Sequence, residues 1–397
     1  MNPVLLVLAA AAVLALFGLP FVRVAPNRLV SGEAVYIVSV LNSTPAFAWC
    51  LAAAPLALFL AAFAKPSRSV LGAVLATSIA LLVGLLSLAA QYALINAQAA
   101  SSIARVSLGA GFWSAAILLA LIASDALQRL AATPLQKTAA ALSVAALLGI
   151  MLASGWCDDL SIMKEYANRA DDMVASLVRH VQIVGVAMAF TLAIGLSLGW
   201  ATHCSKRVAA LVFPALNVVQ TIPSIALFGL LMAPLAMLAA FLPALAALGI
   251  SGVGMAPAVI ALTLYGLLPV VRGTLAGLQQ VSSAQINAAR ALGLEPWAVL
   301  RYVAAPLALP VVLGGVRTAA VAAVGLAAVT ALIGAGGLGA IMFEGLFSNA
   351  QDVVLLGVLP IIALGVLMDG LFGALISLAV RQARPHVSRL HEERRHA

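Results

Sequence analysis

About ten apolar runs, each long enough to cross a bilayer as a helix, leave this chain little scope to fold in water. They fall at about 4–22, 46–64, 70–92, 110–128, 137–155, 180–201, 208–232, 256–274, 306–334 and 353–380. A helix needs about 20 apolar residues to span the hydrocarbon core. Of the 397 residues, 64% are hydrophobic and 9% charged, whereas soluble domains sit near half apolar and a quarter charged. A soluble enzyme, a secreted disulfide scaffold and a disordered chain are excluded. The chain reads as an all-α polytopic membrane protein with about ten transmembrane helices. Its first run has no basic residue ahead of it and no small-residue cleavage site before Arg23, so a retained helix is expected rather than a signal peptide. The segment 233–250, broken by Pro234, Pro243 and Gly249, reads as a candidate re-entrant or interfacial piece.

The net charge of +8 is a matter of topology. If ten helices alternate, one side collects Lys65, Arg68, Arg129, Lys137, Lys206, Arg207, Arg272, Arg290, Arg301 and the tail arginines 381, 384, 389, 394 and 395. The other side holds Arg23, Arg28, Arg105, Lys164, Arg169 and Arg179. Its last three are offset by Asp158, Asp159, Glu165, Asp171 and Asp172. The excess of Lys and Arg predicts that both termini are cytoplasmic. Nucleic acid is not needed to explain the charge, and the only generic partner is membrane lipid. Cys50, Cys157 and Cys204 have no metal-ligand spacing. Cys50 and Cys157 both fall toward the outer face, where a bridge is conceivable, but three scattered cysteines in apolar context read as free thiols.

No Gly-x-x-x-x-Gly-Lys-[Ser/Thr] occurs, so the chain has no P-loop with which to bind ATP. Gly334, Gly336 and Gly339 do match Gly-x-Gly-x-x-Gly. A dinucleotide site would need a strand before them and an acid about 20 residues on. An apolar helix precedes them instead, and Glu344 comes too soon. The run Gly334, Gly336, Gly337, Gly339 reads better as a tight periplasmic turn using positive φ. No metal cluster, no cofactor site and no activated nucleophile is expected, so catalytic residues are absent from this reading.

The polar loop VSSAQINAARALGLEPWAVLRYVAAPLALP, residues 281–310, is the most specific stretch. Ser282 and Gln285 have capping-box spacing. Gly293 is placed to end the helix in a left-handed turn. Glu295 and Pro296 open a second short helix, and Pro306 and Pro310 flank the start of the next span. On the residues alone, an amphipathic loop helix explains the pattern as well as a docking element does.

The pattern resembles the cytoplasmic EAA loop of binding-protein-dependent ABC importer permeases. It is carried by Asn287, Ala288, Ala289, Gly293, Val303 and Pro306, with Asn287 standing where the family has Glu. The resemblance implies a type I importer core whose loop docks on separate ABC ATPase subunits. NVVQTIPSIALFGLL (217–231), ALTLYGLLPVVRGTLAGL (261–278) and GGVRTAAVAAVGLAAVTALIGAGGLGAIMFEGL (314–346) are similar to quaternary-amine permeases for glycine betaine, choline and carnitine. The N-terminal extension of about five helices resembles the long Yeh-type members. The implied organisation is an accessory membrane region at 1–165, a transport domain at 166–380 and a basic cytoplasmic tail at 381–397. With so short a tail, the substrate-binding protein is expected to be a separate chain. The resemblance further implies pairing with a second permease copy or a paralogue.

Within the spans, Thr221, Pro223 and Ser224 interrupt a helix and are candidates to line the pathway. Tyr265 is the lone aromatic beside that break, where a quaternary ammonium would seek a ring face. Arg272 reads as a snorkelling anchor. Arg317 and Asp369 lie at comparable depth, either paired with each other or, for Asp369, open to a substrate cation. Asp125 and Arg129 have i,i+4 spacing and read as a structural pair. Trp49, Trp156 and Tyr166 read as interface-belt residues. The expected function is ATP-driven import of a small osmoprotectant at the bacterial inner membrane, with ATP hydrolysed in a partner. Import of an amino acid such as methionine is one alternative. An ion-coupled secondary transporter is another, though neither inverted repeats nor paired midplane charges stand out.

Overall fold

The computed structural model describes residues 2–27, 32–44, 54–99, 104–244 and 249–383. The chain divides into two compact units, Met1–Ala170 with Ser348–Val353, and Asp171–Phe347 with Val354–Ala397.

Unit 1 opens with α1 (Pro3–Gly18), where the Asn2 side chain accepts from the Leu5 amide and Pro3 occupies the first turn. Next come β1 (Val22–Ala25), β2 (Glu33–Val35), α2 (Ile37–Ser43) and a described helical stretch α3 (54–61). They are followed by α4 (Arg68–Ala99), β3 (Arg105–Leu108), α5 (Ala110–Arg129), α6 (Pro134–Ala153) and α7 (Ser161–Ala167). Leu5, Leu16, Leu85, Leu88, Leu119 and Ile122 interdigitate in the core. Lipid tails are as apolar as leucine, so such helices are held by close packing rather than by the hydrophobic effect. Asp125 and Arg129 pair at 2.7 Å, as the spacing predicts.

The three-stranded antiparallel sheet, in order β2–β1–β3, was not foreseen in the sequence. Strands of three and four residues are too short for alternation to register. Val22 faces Leu108 and Val24 faces Val106, with Val22 and Val106 buried against the helices. Arg23 faces Ser107 and Ala25 faces Arg105, on the opposite side of the pleat. Gly109 closes the return, its amide donating to the Phe21 carbonyl at 2.8 Å. A Cβ there would strike the Phe21 backbone at 2.9 Å.

Cys157 is a free, fully buried thiol, and Cys204 is free and exposed. Burial, and then the charge of Asp158, push the Cys157 thiol up to about 11. The reactive species is the thiolate. In a Cys50→Ser background, a maleimide at pH 7.5 should label Cys204 and spare Cys157, with labelling of Cys157 rising only as the pH nears 11 or on unfolding. Mass spectrometry of the labelled peptides checks this. Cys50 and Trp49 lie outside the described residues, as do Arg28 and the tail arginines 384, 389, 394 and 395. Trp156 and Tyr166 are exposed.

Unit 2 consists of α8 (Ala170–Cys204), α9 (Lys206–Thr221), α10 (Ser224–Phe241), α11 (Met255–Gln279), α12 (Ser283–Ala291), α13 (Pro296–Ile333), α14 (Leu338–Phe347) and the greater part of α15 (Gln351–Ala383). Small residues let α11 and α13 approach backbone to backbone. A Cβ on Gly273 would lie 2.9 Å from the Gly315 Cα, and one on Gly277 would lie 2.8 Å from the Ala308 carbonyl oxygen.

Three expectations change here. The run 208–232 is two helices, because Pro223 ends α9 and starts α10. Helix α10 continues to Phe241 with Pro234 inside it, so 233–241 is helix rather than a re-entrant piece. Residues 245–248 of that segment lie outside the described residues. The second loop helix at Pro296 is not separate; it runs into the next span as one 38-residue helix, α13. Eight described helices are long and apolar enough to cross a membrane. Helix α1 has 16 residues and rises only about 24 Å. The run 46–64 is described only from residue 54.

Candidate functional site

The loop between α11 and α13 folds as its residues predict at the start. Ser282 caps α12: its hydroxyl accepts from the Gln285 amide at 3.3 Å, and Gln285 Oε1 accepts from the Ser282 amide at 3.1 Å. Gly293, at φ +83°, ends the helix. Its amide donates to the Arg290 carbonyl at 2.9 Å and that of Leu294 to Ala289 at 3.3 Å, which satisfies carbonyls at the helix end. Ala289 is the buried anchor, while Asn287 and Ala288 are exposed. Pro306 is exposed near the start of the span. It has no amide hydrogen to give the Tyr302 carbonyl, and the chain takes a π turn at Leu300–Ala304, where the Ala305 amide donates to Leu300.

The loop also presents residues that the pattern alone did not mark. Leu292 is 83% exposed and Trp297 is 66% exposed. With Ala288 they are exposed apolar residues on both sides of the glycine turn.

The break between α9 and α10 is stitched to α11. The Tyr265 hydroxyl donates to the Ile222 carbonyl left at the break. Pro269, four residues after Tyr265, cannot donate to the Tyr265 carbonyl, and Gln220 Nε2 supplies that bond at 2.7 Å. Arg272 donates to Asn217 Oδ1 at 2.8 Å. Thr221 turns its hydroxyl back to the Val218 carbonyl at 2.7 Å, and Ser224 is the first residue of α10. Tyr265 thus spends its hydroxyl on holding the break.

Arg317 and Asp369 meet. Arg317 Nε and Nη2 reach the two carboxylate oxygens at 2.7 and 2.6 Å, a bidentate pair. Both stand near the midpoints of their helices, and the side chains are 39% and 50% exposed.

At the other end of α13, Gly334, Gly336 and Gly337 have φ of +77°, +81° and +82°. Gly339 is needed for space, since a Cβ would collide with the Ala328 carbonyl. Two residues that sequence reasoning passed over grip this turn. Arg179 Nε donates to the Ala335 carbonyl at 3.0 Å, and fully buried His180 places Nε2 3.1 Å from the Val324 carbonyl. The Gly254 amide donates to Ile333 at 2.8 Å. Among the described residues, no cluster of three or more His, Cys, Asp or Glu could hold a metal ion.

Residues 191–379 match the family model described as the binding-protein-dependent transport system inner membrane component. Residues 2–163 match the N-terminal domain of the ABC transporter permease YehY. The osmoprotectant import permease protein OsmW of Salmonella typhimurium is 38% identical over 199 residues, covering 50% of this chain and 87% of that protein. The chain belongs to the binding-protein-dependent ABC importer permeases. The carnitine transport permease OpuCD of Listeria monocytogenes is 32% identical over 209 residues, covering 52% of this chain and 86% of that protein. The glycine betaine/carnitine/choline permease OpuCD of Bacillus subtilis is 32% identical over 211 residues, covering 52% and 84%. Inward-facing MetNI methionine ABC transporter structures match with a TM-score of 0.44 and 22% identity, covering 52% of this chain and 95% of that one. The permease is a multi-pass inner-membrane subunit and not an enzyme, working with ATPase subunits and a substrate-binding protein.

Proposed function

We propose that this permease passes a small osmoprotectant, of the glycine betaine, choline or carnitine kind, across the inner membrane. The observation that carries the coupling half of the reading is the capped helix, left-handed glycine and exposed apolar residues at Ser282–Trp297, in a chain with no P-loop. Asn287, Ala288, Ala289, Gly293 and Pro306 belong to the loop on which a separate ATPase docks, and Leu292 and Trp297 add contact area. The substrate half rests on the relatives, whose names specify osmoprotectants, carnitine, choline and glycine betaine.

In this reading, residues 1–165 are an accessory membrane region, 166–380 the transport domain and 381–397 a cytoplasmic tail. The division into units near Ala170 and the two family matches support it. Both termini face the cytoplasm, in keeping with the distribution of Lys and Arg. Two copies, or a copy and a paralogue, enclose the pathway, toward which Thr221, Pro223, Ser224, Tyr265, Arg317 and Asp369 contribute. The Gly334–Gly339 turn faces the periplasm, where a separate binding protein delivers its load. Uptake of labelled glycine betaine by the assembled transporter tests the substrate. Excess choline or carnitine should compete and methionine should not; competition by methionine alone overturns the substrate class.

A further inference from the structure

Unit 1 contains a polar cleft of about 100 Å³ that the transport reading does not use. Strand register builds one wall. Arg23, Ala25, Arg105 and Ser107 share one face of the sheet, while their neighbours Val22 and Val106 are buried on the other. A parallel bridge between Val106 and Leu160 brings up α7, whose Ser161 and Glu165 are almost fully buried and line the floor. The 348–353 turn closes the side, tied by the Ser107 hydroxyl donating to Asp352 Oδ2 at 2.5 Å.

The lining charges Arg23, Arg105, Glu165 and Asp352 sum to zero, but their hydrogen-bonding capacity is not evenly used. Glu165 lies 4.0 Å from Arg105 and 3.9 Å from Arg169, and Asp352 is engaged by Ser107. By contrast, the Arg105 Nε is buried without a hydrogen-bond partner. The Arg23 guanidinium makes no hydrogen bond or ion pair among the described residues. The unused donors of the cleft come from two guanidinium groups on the same sheet face, beside the buried Glu165 carboxylate. Planar guanidinium donors match the two oxygens of a carboxylate.

We propose that this cleft binds a small carboxylate-bearing solute, held by Arg23 and Arg105, at a site separate from the transport pathway. The zero sum of lining charge suits a zwitterion as well as a monoanion, and the volume suits a solute of a few heavy atoms rather than a lipid.

The test is a titration of the full chain in lipid nanodiscs, following its thermal unfolding midpoint at constant ionic strength. Acetate and glycine betaine should each raise the midpoint saturably, and choline should not. Arg23→Gln should leave the ligand-free midpoint unchanged, because Arg23 holds nothing in place. It should weaken the acetate response roughly tenfold or more, as loss of a charge-assisted hydrogen bond does. Arg23→Lys should retain part of it. Acetate decides the matter, since it lacks the quaternary ammonium that the transport pathway would recognise. No saturable acetate response, or one unchanged in Arg23→Gln, overturns the site; loss of acetate binding alongside surviving betaine binding supports it.

Discussion

Asp369→Asn should abolish uptake and lower the stability of the membrane-embedded chain by about 3 kcal/mol, the scale of an uncompensated charge at the centre of a transmembrane helix. Arg317 would then stand near the middle of α13 with its bidentate partner neutralised. Arg317→Leu should do similar harm by stranding Asp369. The double change Arg317→Leu with Asp369→Leu removes both charges at once. It should recover most of the stability, because breaking an ion pair costs more than deleting it, and the two single changes should therefore be strongly non-additive. It should not recover transport if the pair serves the pathway, as its partial exposure in the single chain suggests. Unfolding midpoints in detergent and uptake in vesicles separate the two effects. A loss in the double variant equal to the sum of the two single losses would show that the pair does not hold α13 and α15 together.

Gly293→Asp should leave the permease folded and membrane-inserted but unable to retain its ATPase on co-purification. A Cβ at Gly293 meets nothing within 4 Å, so the defect cannot come from crowding. It comes in part from φ +83°, which aspartate adopts less readily than glycine. It comes also from a charge set beside the exposed apolar residues Ala288, Leu292 and Trp297. Gly293→Asn should retain much of the ATPase, because asparagine tolerates the left-handed region better and adds no charge. Leu292→Asp, which leaves the turn alone, should lose it. Pull-down of the ATPase with each variant, alongside gel filtration of the permease, reads all three. Equal retention by Gly293→Asp and wild type would remove the loop from the docking surface.

Local chemistry was readable in the sequence where a short-range rule governs it. The Ser282–Gln285 cap, the left-handed Gly293 and the glycines at 334, 336 and 337 all sit as their types demand. The Arg317–Asp369 pair was readable in depth but not in facing, because helix orientation is set by neighbours that a single sequence does not show. Pro223 marked a break, yet whether it kinks or ends a helix depends on who satisfies the freed groups. Tyr265 does so for the Ile222 carbonyl from 43 residues away in the chain, while Gln220 beside the break satisfies the Tyr265 carbonyl in return. Pro296 looked like the start of an isolated helix because no local rule forecasts the π turn that carries α13 past Pro306. The small sheet escaped notice because β1 pairs with β3 from far along the chain, over strands too short to show alternation. Arg179 read only as a charge on the outer side and His180 carried no role; only tertiary packing shows Arg179 bonded to Ala335 in the glycine turn and His180 bonded to Val324 in α13.

As proposed, this chain conducts a solute only when a separate ATPase drives it. The most direct measurement is uptake of labelled glycine betaine into proteoliposomes holding the permease, its ATPase and its binding protein, with ion gradients collapsed by ionophores. Uptake that requires internal ATP and stops with orthovanadate is the expected result. Uptake that persists without the ATPase and follows an imposed ion gradient would contradict the account and make the chain a secondary transporter.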